Sequence, residues 1–454
     1  MSRPDNDFTT QQVDENDYIE RLVELIRKAE RGEWPQLPKI VGWRMTVYDG
    51  ESVTLSIVDN KLGDVYGPPT ARSSLSGGIY LIWEDNKRTN SSLDRRTLDE
   101  FEERLLEWRL SAFDEEYGPA ILEPQTYPEV PIFDEKIKTL VEGDTTLFFQ
   151  ILQQGYKELR ASEIEFVDAR ASAGSQTNYI RNSKGLDVSF DSTSFSFSFS
   201  ADRIYGNGYS KRRIYPEGEV ERVLEDIKVT TALLKKTGKY TPNPAGDRVI
   251  LQPGIAGSFW NTYVLSNIYG SAVANGQAAF KLDDFKQGKQ ILRSDMNLVL
   301  DGLRPYELSA SRLTGEGIPG GRAALVNQGK LVTPILDLKY AGITGFPPTL
   351  SGGSFIEIDE PEKTSLEDLI KRVDKGLLVY SLLGMHTQDG TSGRYSVGAP
   401  RTLVVEGGEL KGKVKATLSG NFFDNLKDER TAFAWDPYED NPAMEMICQV
   451  IIEE

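Results

Sequence analysis

Apolar residues recur every three to four positions in several stretches of the chain, and each stretch predicts an amphipathic helix. Asp17–Arg31 places Tyr18, Leu22, Leu25, Ile26 and Ala29 on one face, and Gly32 and Pro35 end it. Leu98–Leu110 turns Phe101, Leu105 and Trp108 inward, and Phe133–Val141 and Thr145–Leu159 follow. Glu219–Lys236 puts Val220, Val223, Leu224, Ile227 and Leu234 on one side. Thr364 and Glu367 read as a capping box for a short helix with Leu366, Leu369, Ile370 and Val373 on its core face and Gly376 as its stop.

Elsewhere strands are expected. Gly42–Tyr48, Ser52–Val58, Gly78–Trp83, Glu163–Ala173, Thr177–Asn182 and Leu186–Ala201 are strand-like, and in the last Phe195, Phe197 and Phe199 alternate with serines. Such alternation means one buried and one wet face. Gly206-Asn207-Gly208 predicts a hairpin turn into Tyr209–Ile214. Arg248–Leu251 and Met444–Ile451 read as further strands, with many short Gly-punctuated runs between them. The order of elements predicts an α+β fold rather than regular βαβ units. We expect an N-terminal α+β region over 1–130, a middle α+β region over 131–240 packed with it, and a β-rich C-terminal domain over 241–454. The main boundary is set at the Pro242–Gly246 loop.

Composition narrows the function. A net charge of −17 opposes contact with a phosphate backbone, so no direct nucleic-acid binding is expected. One cysteine in 454 residues excludes an internal disulfide and fits a reducing compartment, the cytoplasm. The polar Met1–Tyr18 stretch lacks the apolar core of a secretory signal. Val249–Phe280 has no charged side chain but holds Gln252, Pro253, Asn261, Asn267 and Asn275, so it reads as buried in a globular body rather than in a membrane.

The chain has one histidine, His386, and one cysteine, Cys448. It therefore cannot assemble the common His-rich or Cys-rich sites. Cys448 lies on one strand face with Met444, Met446 and Val450, which reads as a buried structural thiol. Gly315-x-Gly317-x-x-Gly320 has the letters of a dinucleotide fingerprint without a strand before and a helix after it, so a turn is expected. Gly407, Gly412 and Lys413 approach a phosphate loop, but Val414 stands where a hydroxyl must hold magnesium. The polar loop Gly384–Val397, with His386, Thr387, Asp389, Ser392, Gly393 and Ser396, is the candidate binding loop.

Three segments in order resemble the TldD/PmbA family, historically called modulators of DNA gyrase. They are Asn178-Tyr-Ile-Arg-Asn-Ser-Lys-Gly185, then Thr314-Gly-Glu-Gly-Ile-Pro319 with Leu325–Leu331, then Gly384–Val397 with Val404–Glu409 and Leu418–Asn421. The resemblance covers about Glu163–Asp424. It implies two kinds of chain: TldD-like zinc peptidases carrying His-Glu-x-x-x-His, and PmbA/TldE-like chains that lack it and pair with them. Counted from Pro253-Gly254-Ile255-Ala256-Gly257, the family's first His falls on Asn261, its Glu on Thr262 and its second His on Ser266. The family's cysteine falls near Ala434–Trp435. Asn and Ser are poor zinc ligands and Thr is no general base. The resemblance therefore implies a catalytically silent chain without zinc of its own, zinc being expected in a TldD-like partner. It would be a subunit of a zinc metallopeptidase complex acting on peptides or unfolded polypeptides. Asn261–Ser266 and the Gly384–Val397 loop would border the shared cavity. The alternative is a homodimeric binding or regulatory scaffold, gyrase-modulator-like, without a peptidase role. A third possibility is a substitute site of carboxylates such as Asp301, Glu316 and Asp389.

Overall fold

A computed structural model describes residues 15–62, 70–115, 117–118, 120–359, 363–436, 439 and 441–453. It bears out the α+β expectation, with long antiparallel strands in the N-terminal part and a β-rich C-terminal part.

The first sheet has eight strands: β1 (Ile40–Val58), β2 (Lys61–Leu62), β3 (Thr70–Trp83), β4 (Lys87–Asp94), β5 (Phe113–Asp114), β6 (Val167–Asn182), β7 (Asp187–Ala201) and β8 (Tyr205–Lys211). Their order is β5-β4-β3-β1-β6-β7-β8, with β2 paired to β1. From Trp43 onward the odd residues of β1, Glu51 excepted, form one buried face. Helices α1 (Glu15–Arg31) and α2 (Phe101–Leu110) cover Trp43, Met45 and Val47 at one end. Helices α3 (Glu135–Val141), α4 (Thr146–Ala161) and α5 (Glu219–Lys235) cover Val53, Leu55, Ile57 and the phenylalanines of β7 at the other. Phe195, Phe197 and Phe199 are each 1% exposed, so the alternation reported a half-buried sheet correctly.

Three local expectations need correction. The runs Gly42–Tyr48 and Ser52–Val58 are one strand, and Val167–Ala173 and Thr177–Asn182 are another, with Glu163–Phe166 lying before it. Gly206-Asn207-Gly208 is not a turn: it lies inside β8, opposite Ser200, Phe199 and Ser198. The chain reverses instead at Asp202 and Arg203, with φ of 52° and 56°. Glycine is needed at 208 for proximity, because a Cβ there would sit 2.2 Å from the Phe197 carbonyl oxygen. Finally, Ser365, not Thr364, caps the helix Leu366–Lys371, its hydroxyl accepting from the Asp368 amide.

The C-terminal part holds β9 (Asp247–Leu251), β10 (Met296–Asp301), β11 (Arg322–Asn327), β12 (Lys330–Leu331), β13 (Gly353–Ile358), β14 (Lys375–Leu383), β15 (Arg394–Glu406), β16 (Glu409–Asn421), β17 (Ala432–Ala434) and β18 (Ala443–Glu453). Strands β16-β15-β14-β9-β18 run side by side, and β16 also pairs with β18, so the five close on themselves with β17 attached to β18. A separate sheet runs β12-β11-β10-β13. Met444, Met446, Cys448 and Val450 all face the core, as their period-two spacing predicts. Burial pushes the Cys448 thiol up to about 12.

Candidate functional site

After β9 the chain enters helix α6 (Pro253–Phe259), with Pro253 at its start where a missing N–H does no harm. The helix then widens into a π turn over Trp260–Val264 and tightens into a 3-10 turn over Leu265–Asn267. The π turn begins where the family motif was aligned. Asn261 and Thr262 lie within the π turn, and Ser266 lies in the 3-10 turn that follows it. Apolar packing holds the distortion in place. The Phe259 ring lies 5.1 Å from Tyr395 and 5.2 Å from Phe422, and Tyr263 lies 5.7 Å from Phe422.

Asn261 is exposed, and Thr262 and Ser266 are half-buried. The Ser266 hydroxyl donates to the Thr262 carbonyl oxygen at 2.6 Å, an ordinary helical back-bond of a serine. These side chains do not fit zinc. Among the described residues no three His, Cys, Asp or Glu side chains converge as a metal site. Asp301 pairs with Arg322, Glu316 with Arg44, and Asp389 with its own loop, so the substitute carboxylate site is not formed.

The loop expected to bind does meet the turn. Gly390 packs so closely that a Cβ there would lie 2.3 Å from the Thr262 carbonyl oxygen and 3.3 Å from Ser266 Oγ. Asn267 Nδ2 donates to the Gly390 carbonyl at 2.9 Å, and the Tyr263 hydroxyl donates to the Arg394 carbonyl at 3.1 Å. Burial, with the Asp389 charge adding to it, pushes Tyr263 up to about 12, so this phenol stays a donor.

Within the loop, polar groups organise the backbone. Gly384 opens it in the left-handed region with φ of 84°, and Thr387 Oγ1 donates back to the Gly384 carbonyl. Asp389 Oδ1 accepts from the Thr391 amide at 2.9 Å and hydroxyl at 2.7 Å, and these bonds hold its carboxyl below the usual range. Ser392 Oγ donates to the Asp389 carbonyl, and the Ser396 amide donates to Gln388 Oε1. Gly393 is needed at φ of 70°, where a Cβ would meet Phe423 at 2.4 Å. His386 is exposed on the 3-10 turn Met385–Thr387. The structure thus joins Thr262, Ser266 and the Asp389–Gly393 tip, and leaves His386 at the outer edge.

The sequence reading missed Asn267, Asn421 and Tyr263. Asn267 is 2% exposed and ties three segments, because its Oδ1 also accepts from the Ala279 amide. Asn421 caps the turn after β16 and donates to the Ser392 carbonyl. An asparagine within the uncharged run was the available signal for the first. It also missed Arg44 Nη2, which lies 2.5 Å from Glu316 Oε1 and joins the even-numbered face of β1 to the Thr314–Pro319 loop.

Among the described residues no helix is long and apolar enough to cross a membrane. Residues 246–434 match the family model described as the PmbA/TldA metallopeptidase C-terminal domain. An uncharacterized protein of Methanocaldococcus jannaschii is 24% identical over 259 residues, which is 54% of this chain and 59% of that protein. The matched stretch thus falls short of two thirds of that relative's length. The fold is similar to that of TldE from Thermococcus kodakarensis, with a TM-score of 0.79 at 18% identity over 96% of this chain and all of that one. It is also similar to a candidate modulator of DNA gyrase from Bacteroides thetaiotaomicron, with a TM-score of 0.73 at 17% identity over 97% of this chain and all of that one. A second such candidate, from Thermotoga maritima, gives 0.71 at 18% identity over 96% and 99%. The family model covers the part that carries the π turn and its loop, and the fold is shared along nearly the whole chain, so residues 246–434 form a PmbA/TldA metallopeptidase C-terminal domain on a TldE-like fold.

Proposed function

We propose that this chain is the metal-free, TldE-like subunit of a cytoplasmic zinc-peptidase complex. A TldD-like partner supplies the zinc and the chemistry, and this chain helps hold extended peptide or unfolded polypeptide. The observation that carries this is the distorted helix end, π over Trp260–Val264 and 3-10 over Leu265–Asn267, which presents Asn261, Thr262 and Ser266 where the resemblance places the zinc motif. A hydroxyl bonded to its own backbone, with Gly390 seated over it, leaves a surface for docking rather than hydrolysis.

Native mass spectrometry of the protein purified from its own cells tests this. The expected species contains a second chain with His-Glu-x-x-x-His and one zinc. A homodimer without metal or second chain would overturn it and favour the scaffold, which the descriptions of the two gyrase-modulator candidates otherwise support.

A further inference from the structure

The C-terminal part contains a cavity of about 470 Å³ whose lining includes Leu265 but no residue of the Gly384–Val397 loop. Leu265, Leu300, Ile335 and Leu350 give it apolar walls, Tyr269 stands at its mouth with 49% exposure, and Ser354 lies along one rim. That volume suits one large side chain with its flanking main chain and is far too small for a helix.

The rim is the outer edge of a sheet. β13 is the last strand in the order β12-β11-β10-β13 and, among the described residues, pairs as a strand with β10 alone. The Ile356 amide points outward, since it donates to Asn441 Oδ1 at 3.0 Å. Main-chain direction alternates along an antiparallel strand, so the Ser354 amide and carbonyl also face outward, two residues away. Unpaired edge groups of this kind seek another main chain. Ser354 and Leu300 are cross-strand partners, and both line the cavity.

We propose that an extended peptide segment adds to the β13 edge at Ser354 and sends one apolar side chain into this cavity. An open edge asks for main-chain donors and acceptors, and the cavity beside it, mainly apolar but with Glu316 and Asp337 also in its lining, asks for an aliphatic or aromatic side chain; an extended polypeptide supplies both. Specificity would be for one large apolar residue, with little demand on its neighbours. The inference rests on the reading that this chain holds peptide, and it gives that reading a place.

The test uses the full chain as isolated, with its partner if it has one, and short fluorescent Ser/Thr peptides bearing a central Leu or a central Ala. Fluorescence anisotropy is expected to show the Leu peptide binding on the order of 10- to 100-fold more tightly. Ser354→Pro removes the outward amide without touching the β10 ladder, a position where an edge strand tolerates proline. It is expected to abolish the preference, whereas Ser354→Ala retains it, both with unchanged circular dichroism. A photo-crosslinking residue at position 269 should capture the Leu peptide. Equal affinities, no binding, full binding by Ser354→Pro, or capture of a partner subunit instead of the peptide would each overturn the proposal. Since the partner and its zinc are read separately by native mass spectrometry, loss of the inference leaves the subunit assignment standing.

Discussion

Asn267 shows how one polar side chain can hold a site together. It donates to the carbonyls of Tyr263 and Gly390 and accepts from Ala279, all from a buried position. Asn267→Ala would leave the Gly390 carbonyl and the Ala279 amide without this partner. A loss of about 2–6 kcal/mol is expected, from about 1–3 kcal/mol for each of the two stranded groups, read as a lower urea midpoint with faster proteolysis at the Asp389–Gly393 tip. Cys448 gives a pH-dependent counterpart. Its folded value is raised from 9.0 to about 12, chiefly by burial, so below 9 both states keep the thiol and nothing is lost. Above 9 the unfolded chain ionises first, and stability falls until about 12. Cys448→Ala should make that alkaline limb shallower between 9 and 10, before the buried tyrosines, which are also raised, take over its slope, and urea titrations across the range would show it. The strand position and burial of Cys448 were legible from period two alone. The partners of Asn267 were not, because Gly390 lies 123 positions away and only the tertiary fold brings it near.

At the scale of elements, the two strands that looked broken share a cause. Gly50 lies opposite Gln176, and Ser52 opposite Gly174, so both apparent breaks fall at one level of the sheet. They lie on the face away from α3–α5, where Ser, Thr and Gly line an open trough with Arg72 and Arg170. Without a core on that face, alternation fades and small residues read as turns, yet pairing on both sides keeps β1 and β6 continuous. The turn after α6 was legible as an apolar segment but not as a π turn, since that geometry comes from packing against Phe422 and Tyr395. The contact of the loop with this turn has a direct test. A Cβ on Gly390 would need space 2.3 Å from a backbone oxygen that cannot swing away. Gly390→Ala should therefore shift the loop and cost about 1–3 kcal/mol, seen as faster amide exchange over 384–396. Ser392→Ala, on the exposed side of the same loop, should change stability by less than about 0.5 kcal/mol.

For the whole molecule, the question is how two large bodies with separate cores stay in register. The Thr314–Pro319 loop and the segment before it lie on the even-numbered end of the first sheet. Glu316 accepts from Arg44 there and also takes the Leu338 amide at 2.9 Å. Arg212, which burial holds below the usual arginine range, donates to the Glu307 carbonyl at 3.1 Å and the Leu308 carbonyl at 2.9 Å. Tyr205 meets Tyr380 edge to face at 5.4 Å, and Arg401 donates to the Arg203 carbonyl. Residues 272 apart in the chain supply the Arg44–Glu316 bond, so no local pattern could have announced it. These contacts place charged and aromatic groups between the cores, where losing one partner strands the other. The Arg44–Glu316 pair is neither open to water nor fully dry, with side chains 14% and 19% exposed. Its loss should fall between the about 0–1 kcal/mol of a surface pair and the about 3–5 kcal/mol of a buried one. Calorimetry of the intact chain should give a single transition, because the interface couples the halves. In Arg44→Ala/Arg212→Ala it should resolve into two, the N-terminal sheet and the C-terminal strands melting apart. A double variant that still melts once, merely at lower temperature, would mean that α5, which packs against β8 and β16 alike, couples the halves without help from these arginines.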